Sequence, residues 1–78
     1  MVPLESISVY PNPTSTTLTI DTPAKGIITI HNTSAQQLLE QIITLPTTTI
    51  DVSGWKSGVY FVKVTEERKL SVGKFVKL

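Results

Sequence analysis

"IDVSGWKSGVYFVKV", residues 50–64, is the stretch that decides the fold. Its second half alternates. Tyr60, Val62 and Val64 fall on one side of an extended chain, and Val59, Phe61 and Lys63 on the other. Its first half closes a preceding β-run and turns through "SGWKSG". Trp55, Gly58 and Tyr60 are spaced as a corner between two sheets. Trp55 caps one end of a core, and Gly58 permits a positive φ. Tyr60 buries its ring while its hydroxyl bonds nearby backbone, as in a tyrosine corner.

The flanking sequence reads as more short strands separated by turn chemistry. "SISVY" (6–10) alternates and is interrupted by "PNPTS". Pro11 and Pro13 remove two backbone donors and bias Tyr10 and Asn12 towards extended geometry. That predicts the point where the first strand leaves one sheet for the other. "TLTID" (17–21) sets Leu18 and Ile20 on one face, and "TPAKG" (22–26) is a turn. "IITIH" (27–31) points Ile28 and Ile30 one way, Thr29 and His31 the other. "QQLLEQIITL" (36–45) is ambiguous between strand and short helix. A strand with a bulge is preferred, because Ile42, Ile43 and Thr44 are β-formers and Pro46 stops the run. "TTTIDV" and "VYFVKVT" follow, then a charged tip, "EERK" (66–69). In the last run, "LSVGKFVKL" (70–78), Leu70 and Val72 agree with Val76 and Leu78, with Phe75 opposite; Gly73 is expected to mark a bulge. Seven such runs with no helical punctuation predict an all-β, seven-stranded Ig-like Greek-key β-sandwich.

Bulk composition agrees. Val, Ile and Thr supply 28 of the 78 residues, and these side chains suit a pleated surface. Hydrophobic residues make up 40% and charged residues 17%, which excludes a disordered chain. The length holds a single domain over 1–78, its first few residues reading as linker. Such a domain has little surplus stability, so Ile28, Ile30, Tyr60, Val62 and Val64 each matter to the core. No run is apolar enough for a transmembrane helix, so no membrane insertion is expected. "MVPLES" is no signal peptide; if the domain is exported, the signal lies on a longer parent.

Net charge is +1 but unevenly spread. The last eleven residues hold Arg68, Lys69, Lys74 and Lys77 and no acid. This suits either a lysine-guarded edge strand or a recognition surface read by charge and added backbone pairing. Nucleic acid is not the expected partner, because no matching signature accompanies the charge.

Catalytic chemistry fails on inventory. There is one His, His31, and no Cys. The glycines are scattered, which excludes a phosphate loop, and Asp21 and Asp51 are too isolated for a calcium loop. No catalytic residue, no metal and no cofactor is expected.

"VYPNP", "ITIHN", "IDVSGWKSGVYFVKV" and "KFVKL" occur in an order and spacing that resemble the type A C-terminal sorting domain of the type IX (Por) secretion system. The resemblance covers about Ser8 to Leu78. Pro11, Asn12 and Pro13 match the family's first motif. Gly58 and Tyr60 match its Gly-x-Tyr motif, with Trp55 in place of the usual Leu. Lys74, Phe75, Val76, Lys77 and Leu78 form the basic C-terminal motif. Ala35 stands where the family commonly has Gly, and His31 replaces an aromatic.

The resemblance implies an address label, not an enzyme. An N-terminally fused cargo would pass through the periplasm and be recognised by the outer-membrane translocon. A sortase would then cleave before the domain, leaving the cargo at the cell surface or secreted. On this view Lys74 to Leu78 are the recognition residues, and edge strands could pair two copies as a homodimer. The competing reading is a carbohydrate- or protein-binding accessory sandwich with Tyr10, Trp55 and Phe61 as its exposed platform.

Overall fold

A computed structural model describes residues 4–21, 25–66 and 69–78, with backbone alone for 4–6. Residues 22–24 of the turn expected at 22–26 and residues 67–68 of the tip expected at 66–69 lie outside the described residues. The strands are β1 (Leu4–Ser6), β2 (Ser8–Tyr10), β3 (Thr17–Asp21), β4 (Ile27–Asn32), β5 (Gln37–Ile42), β6 (Thr47–Asp51), β7 (Gly58–Glu66) and β8 (Lys69–Lys77). Two sheets pack as a sandwich, in orders β1-β8-β7-β4-β5 and β2-β3-β6. All pairings are antiparallel except β1 with β8. Each of the seven runs is a strand. The first is divided at Ile7 into β1 and β2, which join different sheets.

The core lies where alternation puts it. Leu18 and Ile20 of β3 face Ile28 and Ile30 of β4, with Val62 and Val64 of β7, and all are buried. Ile43, Ile50, Val52, Tyr60 and Phe75 complete the cluster, and Ile7, Val9, Leu39 and Trp55 pack against it. Truncating one of the fully buried aliphatic residues to Ala costs about 2–5 kcal/mol.

β5 explains its own ambiguity. It is an edge strand, and Leu39 alone among its residues is half-buried. A strand with one inward side chain carries no period-two signal. Its register with β4 slips between Ile30 and His31, so Leu38 is the extra residue of the expected bulge.

Gly73 is not a bulge. β7 and β8 pair without interruption from Gly58↔Lys77 to Glu66↔Lys69. A Cβ at residue 73 would stand 2.9 Å from Val9 Cγ2 and 3.3 Å from Ile7 Cγ1. The glycine gives room for the chain crossing from β1 to β2 over the inside of β8. That crossing occurs at Ile7, before the prolines and not at them.

Candidate recognition surface on the C-terminal strand

β8 has β7 on one side. Its other side is filled by the N-terminal segment. β1 pairs with Leu70–Val72, and Ile7 N–H donates to the Val72 carbonyl at 3.3 Å. Pro11 and Pro13 then supply no donors, both following cis peptide bonds. The Asn12 side chain takes over. Its Nδ2 donates to the Lys74 carbonyl at 3.2 Å, and its Oδ1 accepts from Val76 N–H at 2.9 Å. Thr14 resumes main-chain pairing: its N–H donates to the Val76 carbonyl and its carbonyl accepts from Leu78 N–H, both 2.9 Å. Buried Thr14 also turns its hydroxyl onto the Thr17 carbonyl. β8 is therefore not an edge strand. The edges are β1 and β5 in one sheet and β2 and β6 in the other. Added pairing on β8 would require this strap to leave, because it already holds the carbonyls of Val72, Lys74 and Val76 and the N–H groups of Val76 and Leu78.

The two faces of β8 differ. Ser71, Phe75 and Lys77 point inward and are buried; Val72, Lys74 and Val76 point outward and are exposed. The C-terminal motif is thus split by the pleat. Phe75 lies in the core, 5.3 Å ring to ring from Tyr60 and 6.3 Å from Trp55. Lys77 buries its stem and donates from Nζ to the Leu78 carbonyl at 2.9 Å. Lys74, Val76 and Leu78 remain accessible.

The corner is built as the sequence predicts. Gly58 has φ 149°. Tyr60 is buried, and its hydroxyl donates to the Lys56 carbonyl at 2.6 Å. Trp55 covers that end, its ring 5.2 Å from Tyr60. Trp55 also lines a hollow with Asn32, Gln36 and Lys56. Tyr10 sits on the outside of the three-stranded sheet, its hydroxyl on Asp21 at 2.9 Å. Phe61 is on the outside of the five-stranded sheet. Tyr10, Trp55 and Phe61 therefore form no common platform.

The outward sheet faces contrast chemically. On β3 and β6, threonines surround Asp21 and Asp51. Asp21 accepts from Tyr10 and from Thr47 Oγ1, and the bond and the charge raise the Tyr10 phenol above its usual range. The Ser53 hydroxyl and N–H lower the Asp51 carboxyl below its usual range. On β7 and β8, exposed Val59, Phe61, Val72 and Val76 are interleaved with Lys63 and Lys74. An open hollow of about 450 Å³ runs between His31, Phe61, Lys63 and Val72. The sequence placed Val59, Phe61 and Lys63 on one face; that Val72, Val76 and Lys74 join them follows from the unbroken β8 register.

Among the described residues, no group of three or more His, Cys, Asp or Glu could hold a metal ion, and no helix is long and apolar enough to cross a membrane. None of the curated proteins searched matches the chain. The family described as the secretion system C-terminal sorting domain matches residues 8–78.

Proposed function

We infer that this chain, which belongs to the family of type IX secretion system C-terminal sorting domains, acts on its cargo's behalf as a folded address read from β8. The family makes it a C-terminal sorting signal, which directs a secreted protein towards the outer membrane, the cell surface or the medium. The finer steps are our proposal. A cargo fused upstream reaches the periplasm, the outer-membrane translocon binds the exposed side chains of β8, and a sortase cuts before the domain. Lys74, Val76 and Leu78 make the contact, whereas Phe75 and Lys77 act through the fold. Pro11, Asn12, Pro13, Trp55, Gly58 and Tyr60 likewise act by building it.

The observation that carries this is the outward presentation of Lys74 and Val76 on a strand whose outer side the strap holds at Val72, Lys74, Val76 and Leu78. Removing 74–78 would not test it, since Phe75 and the Thr14–Leu78 bond go too. The appropriate variant is Lys74→Glu with Val76→Ser, in residues 1–78 fused behind a reporter in a type IX host. Lost export with an unchanged melting temperature supports contact; full export overturns it.

A further inference from the structure

We propose that the recognised surface is the joint outward face of β7 and β8, and that it docks a protein surface of apolar residues bordered by carboxylates. The proposal deepens the reading above and depends on it. Cross-strand partners share a face of the sheet. The register therefore sets Val59 beside Val76, Phe61 beside Lys74, and Lys63 beside Val72, with His31 across from Phe61 on β4. Among the described residues, four of the ten exposed large hydrophobic side chains, Val59, Phe61, Val72 and Val76, lie together on this face of β7 and β8, and Ile27 and Ile42 lie on the same side of the sheet on β4 and β5. Scattered apolar residues are ordinary on a surface, but a contiguous group marks an interaction site. Phe61, at 45% exposed, is the one aromatic in the group and the natural anchor.

Charge selects the occupant. Lys63 and Lys74 flank Phe61, and among the described residues the carboxylate side chain on the same face is Glu40, two strands from Lys63 through Thr29. Two strand spacings are roughly 10 Å, too far for close pairing. A second copy fits badly. Stacking like faces sets lysines against lysines, and the molecule's own acidic face, around Asp21 and Asp51, offers threonines where apolar partners are needed. An anionic membrane gains only about 1 kcal/mol per lysine, short of the two signals a stable anchor takes. A partner protein with an apolar patch rimmed by Asp or Glu satisfies both the phenyl ring and the two ammonium groups.

The test uses the reporter fusion to residues 1–78 in a type IX host. Three variants are compared: Phe61→Thr with Lys63→Glu on β7, Lys74→Glu with Val76→Ser on β8, and Thr49→Lys on the opposite sheet. Thermal unfolding of each purified domain verifies folding; if the β7 pair lowers the melting temperature, Lys63→Glu alone replaces it. We expect both β7 and β8 variants to lower export by about tenfold or more, with Thr49→Lys unchanged. Loss on β8 alone overturns the joint face while leaving the sorting contact on β8 intact. No loss in either overturns both. Equal loss in Thr49→Lys overturns the assignment of a face. Purified wild-type domain is also mixed with vesicles of about 30% anionic lipid and run in sedimentation velocity. Vesicle binding or dimer formation that the β7 pair abolishes would overturn the protein partner in favour of a membrane or a second copy.

Discussion

Two asparagines organise this domain at opposite ranges. Asn32 works locally: its Oδ1 accepts from Ser34 N–H at 2.9 Å and Gln36 N–H at 3.0 Å, and its Nδ2 donates to Gln36 Oε1 at 3.1 Å. It closes the turn between β4 and β5 on itself. Asn12 works across the chain, bonding the backbone on both sides of Phe75, 62 and 64 residues away. The same amide is a turn-former in one place and a stand-in for a peptide unit in the other. The difference lies in the neighbours. Asn32 is followed by Thr33 and Ser34, which can turn; Asn12 is held between prolines that can neither donate nor turn back freely.

Asn12→Ala tests the long-range member directly and has one of the two largest expected effects. It removes both bonds to β8 and leaves the Val76 amide without a partner, costing about 2 kcal/mol. Hydrogen exchange should quicken at Val76 and Leu78 while β4 stays protected. An unchanged exchange rate at Val76 would mean that Thr14 alone holds the strap. Gly73→Val probes the same strap from inside. Its side chain must enter the space filled by Val9 and Ile7, an overpacking that costs about 1–3 kcal/mol. Denaturant midpoints measure it, and a neutral result would show that the crossing chain can shift aside.

These two sites also mark the limit of what the sequence discloses. Local patterns were legible: the alternation of β3, β4 and β7, the positive φ of Gly58, and the Tyr60 hydroxyl bond four residues back. The strap was not. Nothing in residues 9–13 announces a partner more than sixty residues away, and the first run's division at Ile7 follows from room made by Gly73. The inward face of β8 was equally hidden. Ser71, Gly73 and Lys77 flank Phe75 inside, while the more apolar Leu70, Val72 and Val76 face out, the reverse of hydrophobic patterning. The sequence separated the two sets but could not say which was the core.

Ala35→Gly sharpens the local member. Ala35 has φ 63°, the left-handed region, in the turn that Asn32 closes. A Cβ is strained there by about 1–2 kcal/mol, of which part is offset by glycine's freer unfolded chain. A gain of about 0.5–1 kcal/mol is expected, read as a raised melting temperature. If the variant is less stable, the turn does not hold its left-handed residue in solution.

The smallest effect belongs to Asp51, a second locally closed turn. Its Oδ1 accepts from Ser53 N–H at 2.9 Å, and the Ser53 hydroxyl and N–H together hold its carboxyl below the ordinary carboxylate range. A depressed folded value means that the ionised form is bound more favourably in the folded chain. The contribution is complete above the unfolded value and fades as pH falls through the folded one. Asp51→Asn keeps an acceptor for the Ser53 amide but does not titrate. Wild type should be slightly the more stable at neutral pH, and the two curves should converge below about pH 4, where wild type loses this contribution. Both ends of the comparison meet here, because Val52 N–H donates to the Thr16 carbonyl at 2.8 Å, two residues beyond the strap's Thr14. Convergence in the acid range would mark Asp51 as a local closure like Asn32. A difference persisting in acid would mean that the substitution acts on the chain leaving the strap by something other than the carboxylate's charge.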